Sequence, residues 1–359
     1  MINESAIKAY LQSLFSDALD ISISRLGAGV QGAGFLIEVQ RPAGIQSYVI
    51  KSLLTEGLGH DYPSDRAAVF LLDLDEYKNL PNHVNALDVL SELEDGSVKS
   101  IGGGKEYYLL MEKAEGKDYF HDLKLFAEKE KLDAADRRKI ESMTSYLARI
   151  HAVKKESQAL YRRKLRDTVG HGECLMGVLD TYPDGIISDE IMSNIIKKSI
   201  DWIIKLKPKH ERLSQMHGDF HPGNIWFVPP DRSLRDDQDA GRVSFVLLDR
   251  SRGPWGDPAD DVTALTINYI FFSILAYGEV RGPYYEGLRF FYDEYIRLSG
   301  DEAITTTVAP FYAFRGVVVA NPIFYPRVTT AQRESIFRYV LNVLDDSEFD
   351  PVRVNDYLR

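Results

Sequence analysis

The sequence is poor in the features that mark secreted, nucleic-acid-binding and membrane-spanning proteins. Cys174 is the one cysteine in 359 residues, which excludes an intrachain disulfide and a cysteine-rich zinc site. Acidic residues outnumber Lys and Arg by 54 to 43, and the net charge of -11 disfavours nucleic acid and anionic membranes as partners. The longest apolar run, INYIFFSILAYG from Ile267, is well short of the ~20 residues that span a bilayer. We therefore expect a cytoplasmic protein that binds neither nucleic acid nor membrane.

Length and composition indicate a fully folded chain with two lobes. The chain exceeds the ~250 to 300 residues beyond which single hydrophobic cores stop growing. Hydrophobic residues make up 44% and charged residues 27%, as in an ordinary globular protein. The N-terminal segment MINESAIKAYLQSLF has apolar residues at helical spacing and lacks the basic start of a secretory signal.

The pattern of elements changes along the chain from strands to helices. ISISRLGAGVQGAGFLIEVQ predicts two strands around a glycine-rich turn, SYVIKSLL a third strand, and VKSIGGGKEYYLLMEKAEG two more around a second glycine turn. A helix is predicted from Asp65 and is stopped by Pro81. After KDYFHDL, long helical segments dominate, interrupted by a hairpin of NIWFVPP and RVSFVLLD. This predicts an α+β fold with a small antiparallel lobe at 1–111 and a larger, mainly α lobe at 112–359.

Three glycines, Gly27, Gly29 and Gly32, form a GxGxxG between the first two predicted strands. In a dinucleotide-binding fold these glycines open a helix, whereas here FLIEVQ follows, which is typical of a strand. A glycine hairpin can cover phosphates with backbone N–H groups, or it can be a plain flexible turn. If it covers a triphosphate, Lys51 at the end of YVIK is placed to hold the phosphates.

The stretch HGDFHPGN, residues 217 to 224, contains two histidines, an aspartate and an asparagine. A zinc site is disfavoured because the H-x-x-x-H spacing is missing and Pro222-Gly223 forces a turn. A polar turn before a strand leaves LLDRSRGPWGDPADD unexplained, in which Asp249 ends the next apolar run. Asp219, Asn224 and Asp249 lie on a loop and at hairpin ends, an arrangement suited to phosphoryl transfer with Mg²⁺, which prefers oxygen ligands.

HGDFHPGN followed by LLDRSRGPWGDPADDV resembles the aminoglycoside phosphotransferase and choline kinase family, which has the protein-kinase-like two-lobe fold. The resemblance extends from the glycine loop through YVIK, LLMEKAEG and LARIHAV to GDPADDV. It implies an ATP- and Mg²⁺-dependent kinase whose partners are ATP and a small-molecule hydroxyl acceptor, such as an aminoglycoside, sugar or amino alcohol. The resemblance implies Asp219 as catalytic base and Asn224 and Asp249 as metal ligands. It places Gly27, Gly29, Gly32, Lys51 and Asp65 in the phosphate-binding part of the nucleotide site, and Glu112 and Ala114 at adenine. His217 and Asp261 are implied to stabilise the catalytic loop.

Some positions stay open. Asp65, Asp73, Asp75 and Glu76 all compete as the carboxylate partner of Lys51, and the resemblance favours Asp65. Protein kinases have Phe-Gly after the metal-binding aspartate, but Arg250 and Ser251 follow it here, which disfavours a protein kinase. A kinase-like module that binds ATP without transferring phosphate is the other alternative.

Other residues fit structural roles at least as well. Asp257 is explained by helix capping, and His151, in an apolar helix, is typical of a core histidine. The acceptor pocket is expected among the helices after Glu173. Their tyrosines could bind a quaternary ammonium group between their rings, but aromatic residues at helical spacing are more typical of a core.

Overall fold

The computed structural model describes residues 2–28, 32–53, 63–100, 106–228 and 243–359. The chain divides into two compact units. The first unit is Met1–Glu115 with Val246–Ser251, and the second is Gly116–Phe245 with Arg252–Arg359. The assignment of nucleotide binding to residues 1–111 and of acceptor binding to 112–359 remains a prediction, because compactness does not identify a ligand.

Within the described residues, the first unit contains a six-stranded antiparallel sheet and two α-helices. Its helices are α1 (Glu4–Leu14) and α2 (Pro63–Glu76). Its strands are β1 (Asp20–Ala28), β2 (Gly32–Arg41), β3 (Gly44–Leu53), β4 (Ala86–Glu92), β5 (Val98–Ser100) and β6 (Glu106–Glu112), and the sheet order is β1-β2-β3-β6-β4-β5.

The meander of the first three strands is confirmed, and the two further strands predicted from VKSIGGGKEYYLLMEKAEG are present as β5 and β6. Strand β4 lies between β5 and β6 and pairs with both, so these two strands are not neighbours. Strand β4 was not predicted, because Asp88 and Glu92 interrupt the apolar pattern of ALDVLSE, although Val89 and Leu90 are fully buried. Residues 101–105, which contain the glycine turn itself, lie outside the described part of the chain.

Helix α1 packs on this sheet through its apolar face. Ile7 and Leu11 are fully buried in one cluster with Ile37 and Ile50 of the sheet. Asn3 caps the helix, because its side chain accepts the N–H of Ala6 at 3.2 Å. The N-terminal segment is therefore an amphipathic helix of the core, as its spacing predicts.

The second unit is mainly helical. Its helices are α3 (Tyr119–Phe126), α4 (Ala134–His151), α5 (Gln158–Gly170), α6 (Leu175–Leu179), α7 (Asp189–Leu206), α8 (Ala259–Tyr277), α9 (Gly282–Ser299), α10 (Ala309–Ala320) and α11 (Thr330–Asp345). Short strands are β7 (Lys117–Asp118), β8 (Ser214–Gln215), β9 (Ile225–Phe227), β10 (Phe245–Leu247), which ends in the first unit, and β11 (Trp255–Gly256). The predicted α+β fold, a small antiparallel sheet followed by a larger, mainly helical part, is confirmed.

Helix α8 is longer than the apolar run that marks it in the sequence. By length and composition it could cross a membrane, but 83% of its apolar window is buried inside the protein. That burial is the environment of a core helix.

The tyrosines of α8, α9 and α10 belong to the same core. Tyr269, Tyr292, Tyr295 and Tyr312 are all buried, and the hydroxyls of Tyr292 and Tyr312 lie 2.8 Å apart. Tyr269 pairs in the same way with Tyr119 at 2.9 Å. These four side chains pack the helices together.

Candidate active site

The loop between β8 and β9 carries the histidines, aspartate and asparagine of HGDFHPGN. Gly218 has φ +90°, a left-handed conformation that favours glycine. Pro222–Asn224 forms a 3₁₀ turn, and His221 caps this turn, since its Nδ1 accepts the N–H of Gly223 at 3.1 Å. The loop thus has a fixed conformation that is built into its own sequence.

Asp261, in the first turn of α8, stabilises this loop by hydrogen bonds to its backbone. Its two carboxylate oxygens accept the backbone N–H groups of His217 and Gly218, each at 2.7 Å. His151 lies against the same carboxylate, with Nε2 at 3.2 Å from Oδ2 and with Nδ1 at 2.8 Å from the Tyr295 hydroxyl. His151 is therefore a satisfied core histidine, as expected, and it also fixes the aspartate that contacts the loop.

Asp219 is a buried carboxylate between cationic side chains. Its Oδ1 contacts Nη1 of Arg252 at 2.5 Å and Nη1 of Arg315 at 2.6 Å, while Oδ2 lies 3.9 Å from His221 Nε2. Burial alone would raise the pKa of Asp219, but the charges of Arg252, His221 and Arg315 outweigh burial and hold the pKa well below its usual range. Asp219 is therefore ionised at neutral pH, with Arg252 and Arg315 in contact with Oδ1 and His221 facing Oδ2.

Asn224 ends the loop with its amide oriented by the backbone. Its Nδ2 donates to the carbonyl oxygen of Asp219 at 3.0 Å. Because the nitrogen is used in this bond, the side chain offers its oxygen to a ligand. Mg²⁺ binds oxygen ligands, and an amide oxygen is one of them, so Asn224 fits its predicted role as a metal ligand.

In the first unit, Lys51 and Asp249 form an ion pair. Lys51 Nζ lies 3.0 Å from Asp249 Oδ1, and both side chains remain partly exposed. Asp249 has φ +58°, a left-handed conformation that is uncommon for a residue with a side chain. Arg250, which is 1% exposed, follows it and donates to the carbonyl oxygen of Glu76 at 2.9 Å and to its carboxylate at 3.2 Å. A buried arginine thus anchors the backbone next to Asp249 to the end of α2.

The carboxylates of α2 that compete for Lys51 have different surroundings. Glu76 is bound to Arg250, and Asp73 is buried and accepts the hydroxyl of Tyr77 at 3.1 Å. Asp75 is exposed. Asp65 lies in the first turn of α2, but its side chain is outside the described part of the structure, so its pairing with Lys51 stays a prediction.

The glycine loop is only partly described, because Gly29 lies outside the described residues. Gly27 is the penultimate residue of β1, and a Cβ atom added to it would have no other atom within 4 Å. A Cβ on Gly32 would lie 1.9 Å from the carbonyl oxygen of Ser52, so Gly32 is required by the approach of the strands.

The two residues predicted at adenine differ in their backbone environment. The N–H of Glu112 already donates to the carbonyl of Asn85 at 3.1 Å. Ala114 lies in the irregular segment between β6 and β7. The assignment of both residues to adenine stays a prediction.

The zinc alternative finds no support in the described ranges. In these parts of the chain, no group of three or more histidine, cysteine, aspartate or glutamate side chains is arranged to hold a metal ion. His217 is fully buried, and its Nδ1 accepts the N–H of Asp219 at 3.2 Å.

Sequence reasoning missed the cations that contact Asp219. Arg315 is the charged residue of the apolar segment APFYAFRGVVVA, and such a charge in a core helix indicates a buried ion pair. Arg252 follows Asp249 by three positions, where a run of polar residues hides its role.

Residues 63–234 match the sequence model of the APH family, described as the phosphotransferase enzyme family. This match agrees with the family resemblance predicted from the motifs. A comparison with curated proteins gave no match.

Several solved structures are similar to this chain at low sequence identity. An aminoglycoside phosphotransferase of Streptomyces rimosus is 16% identical, with 83% of this chain and 99% of that chain covered and a TM-score of 0.41. An ethanolamine kinase of Plasmodium vivax is 12% identical, with coverages of 97% and 84% and a TM-score of 0.48. A choline kinase of Cryptosporidium parvum is 11% identical, with coverages of 98% and 92% and a TM-score of 0.45.

Proposed function

We propose that the protein is a cytoplasmic, Mg²⁺-dependent kinase that transfers the γ-phosphoryl group of ATP to a hydroxyl of a small molecule, such as an aminoglycoside, a sugar or an amino alcohol. The observation that carries the proposal is the ionised Asp219 on a fixed loop, with Oδ1 held by two arginines. We assign its other oxygen, Oδ2, to the acceptor hydroxyl. The match of residues 63–234 to a phosphotransferase family supports the same reaction class.

The reaction uses Asp219 to position and then deprotonate the acceptor. The acceptor O–H donates to Oδ2 of Asp219, and its oxygen forms a bond with the γ-phosphorus. The bond between the γ-phosphorus and the bridging oxygen of ADP breaks, and ADP leaves with that electron pair. The hydroxyl proton passes to Asp219, so the products are the phosphorylated acceptor, ADP and a proton.

Asn224 and Asp249 are the proposed ligands of Mg²⁺, and Lys51 is the proposed phosphate contact. The donor set fits the ion, since both ligands offer oxygen and Asn224 has its nitrogen committed to the loop. A bound Mg²⁺ would neutralise charge on the phosphates. The partly exposed ion pair of Lys51 with Asp249 supports placing both groups at the phosphates.

An acceptor screen tests the proposal directly. The protein is incubated with Mg²⁺ and ATP and with panels of aminoglycosides, sugars, amino alcohols and generic protein substrates, and ADP release that depends on the acceptor is measured. Release with a small molecule supports the proposal. Nucleotide binding without transfer to any acceptor would favour the ATP-binding module, and transfer to protein substrates alone would favour a protein kinase.

Lys51→Ala is expected to weaken the binding of ATP more than the binding of adenosine. The lysine supplies a point charge to the phosphates, and adenosine has none. Calorimetric titration of both ligands measures the difference, and Lys99→Ala, an exposed lysine of β5, is the control. An equal change in affinity for ATP and adenosine would remove Lys51 from the phosphate site.

Asp249→Asn is expected to raise the Mg²⁺ concentration needed for ATP binding, because a neutral amide holds a divalent cation less firmly than a carboxylate. Titration of ATP at a series of Mg²⁺ concentrations measures this requirement, with a change at the exposed Asp95, Asp95→Asn, as control. An unchanged Mg²⁺ requirement, or stoichiometric zinc in protein purified without added metal, would contradict the assignment.

A further inference from the structure

Arg315 is a buried charge in an otherwise apolar helix. Helix α10 reads APFYAFRGVVVA, and eleven of its residues, Arg315 among them, are buried. The side chain is 6% exposed. A guanidinium at such a depth loses its hydration and is retained only where good partners replace water.

The partners of Arg315 join the loop to helix α8. Nη1 donates to Oδ1 of Asp219 at 2.6 Å. Nη2 donates to the carbonyl oxygen of Gly218 at 3.1 Å and to Oδ1 of Asp260 at 2.6 Å. The planar fork of one guanidinium therefore fixes both the backbone and the side chain of the loop, in a way that a point charge could not.

Asp260 is itself held from a third helix. Its Oδ2 lies 2.7 Å from Nζ of Lys164 on α5, and its side chain is 1% exposed. Lys164, Asp260, Arg315 and Asp219 thus form a continuous buried row of alternating charges that connects α5, α8 and α10 to the loop. Each charge in this row has an opposite neighbour, and Arg252 adds a further cation at Asp219.

We propose that Arg315 is a positioning residue of the phosphoryl transfer. It holds the Asp219 carboxylate by Oδ1 and so directs Oδ2 to the acceptor hydroxyl, while Asp260 and Lys164 hold Arg315. This role rests on the proposed function. It requires the fork as well as the charge, because the same side chain fixes the Gly218 carbonyl and Asp260.

The test compares Arg315→Lys with Arg212→Lys, using the acceptor that the wild type phosphorylates best in the screen. Arg212 is a matched control, since it is also a buried arginine that bridges two aspartates, Asp257 and Asp301. Arg315→Lys is expected to lower kcat about 100-fold, the loss expected when a catalytic group such as the Asp219 carboxylate is displaced by about 1 Å. The affinity for ATP is expected to stay unchanged. Arg212→Lys is expected to lower stability and leave kcat of the folded protein within about 3-fold of the wild type.

A double variant separates positioning from a structural role. If Arg315 acts through Asp219, Arg315→Lys is expected to lower kcat by less than about 3-fold in the Asp219→Asn background, since residues that act as a unit are not additive. A full loss of about 100-fold in that background, or a normal kcat in Arg315→Lys alone, would overturn the inference. If Arg315→Lys does not fold, Asp260→Asn takes its place in the same cycle.

The failure of this inference and the failure of the proposed function give different results. Normal transfer by Asp219→Asn would refute the proposed function, and the inference with it. An inactive Asp219→Asn beside a fully active Arg315→Lys would refute the inference alone.

Discussion

Asp219→Asn is expected to lower phosphoryl transfer about 10² to 10⁴-fold, the usual loss for a general base, while ATP still binds. The change keeps the size of the side chain and removes its charge. The lowered pKa of Asp219 makes it a weak proton acceptor, so a large part of its effect lies in orienting the hydroxyl. We therefore expect the loss toward the lower end of the range. Steady-state kinetics with the best acceptor measure it.

His221→Ala is the control for this prediction, because it changes the neighbouring side chain on the same loop. His221 Nε2 lies 3.9 Å from Asp219 Oδ2, beyond hydrogen-bond distance, and its Nδ1 caps the turn. A milder loss than for Asp219→Asn is expected. Both proteins must be shown to be folded, since an amide in place of the Asp219 carboxylate would leave two arginines with a weaker partner. Near-normal turnover by the aspartate variant with an inactive histidine variant would show that the chemistry belongs to the histidine.

Asp257→Ala is expected to destabilise the protein by about 3 to 5 kcal/mol, because it removes one partner of a buried ion pair. Asp257 is fully buried, and its oxygens accept from Arg212 at 2.8 and 3.0 Å. It also accepts the Tyr161 hydroxyl at 2.7 Å and the N–H of Ala259 at 3.0 Å. Its role is therefore wider than the helix capping predicted from the sequence. Urea unfolding of the two proteins measures the loss.

The destabilisation is expected to depend on pH in a defined direction. Burial would raise the pKa of Asp257, but the charge of Arg212 and the hydrogen bonds outweigh it and lower the pKa. The unfolded chain binds this proton near pH ~3.9, so the stabilisation is present above about pH 4 and is lost as the pH falls through the lower folded pKa. The difference between wild type and variant should thus shrink below about pH 4. Tyr161→Phe, which removes one hydrogen bond, should cost only about 1 kcal/mol. A pH-independent difference would contradict the ion pair as the cause.

The fold was predictable where one periodicity dominates a segment. Strands β1 to β3 and helices α4 and α7 follow from their apolar spacing, and their burial agrees with it. Strand β4 was missed because Asp88 and Glu92 break the alternation. Which strands are neighbours depends on pairing across the sheet, which the sequence order does not specify, and β4 lies between β5 and β6.

The candidate site was predictable only where a motif concentrates polar residues. HGDFHPGN places Asp219 and Asn224 on one loop, and the structure gives that loop a fixed conformation. Arg315 is distant in sequence, and its contact with Asp219 arises from the packing of α10. Local sequence cannot specify such a contact, although a charge in an apolar helix indicates that a partner must exist.

The most direct test of the account follows the phosphoryl group itself. The protein is given ATP with a labelled γ-phosphate, Mg²⁺ and the best small-molecule acceptor, and the products are separated and identified by mass spectrometry. The account predicts the label on a hydroxyl of the acceptor with the wild type, and its near absence there with Asp219→Asn. Label found only in inorganic phosphate, or on a protein, would contradict it.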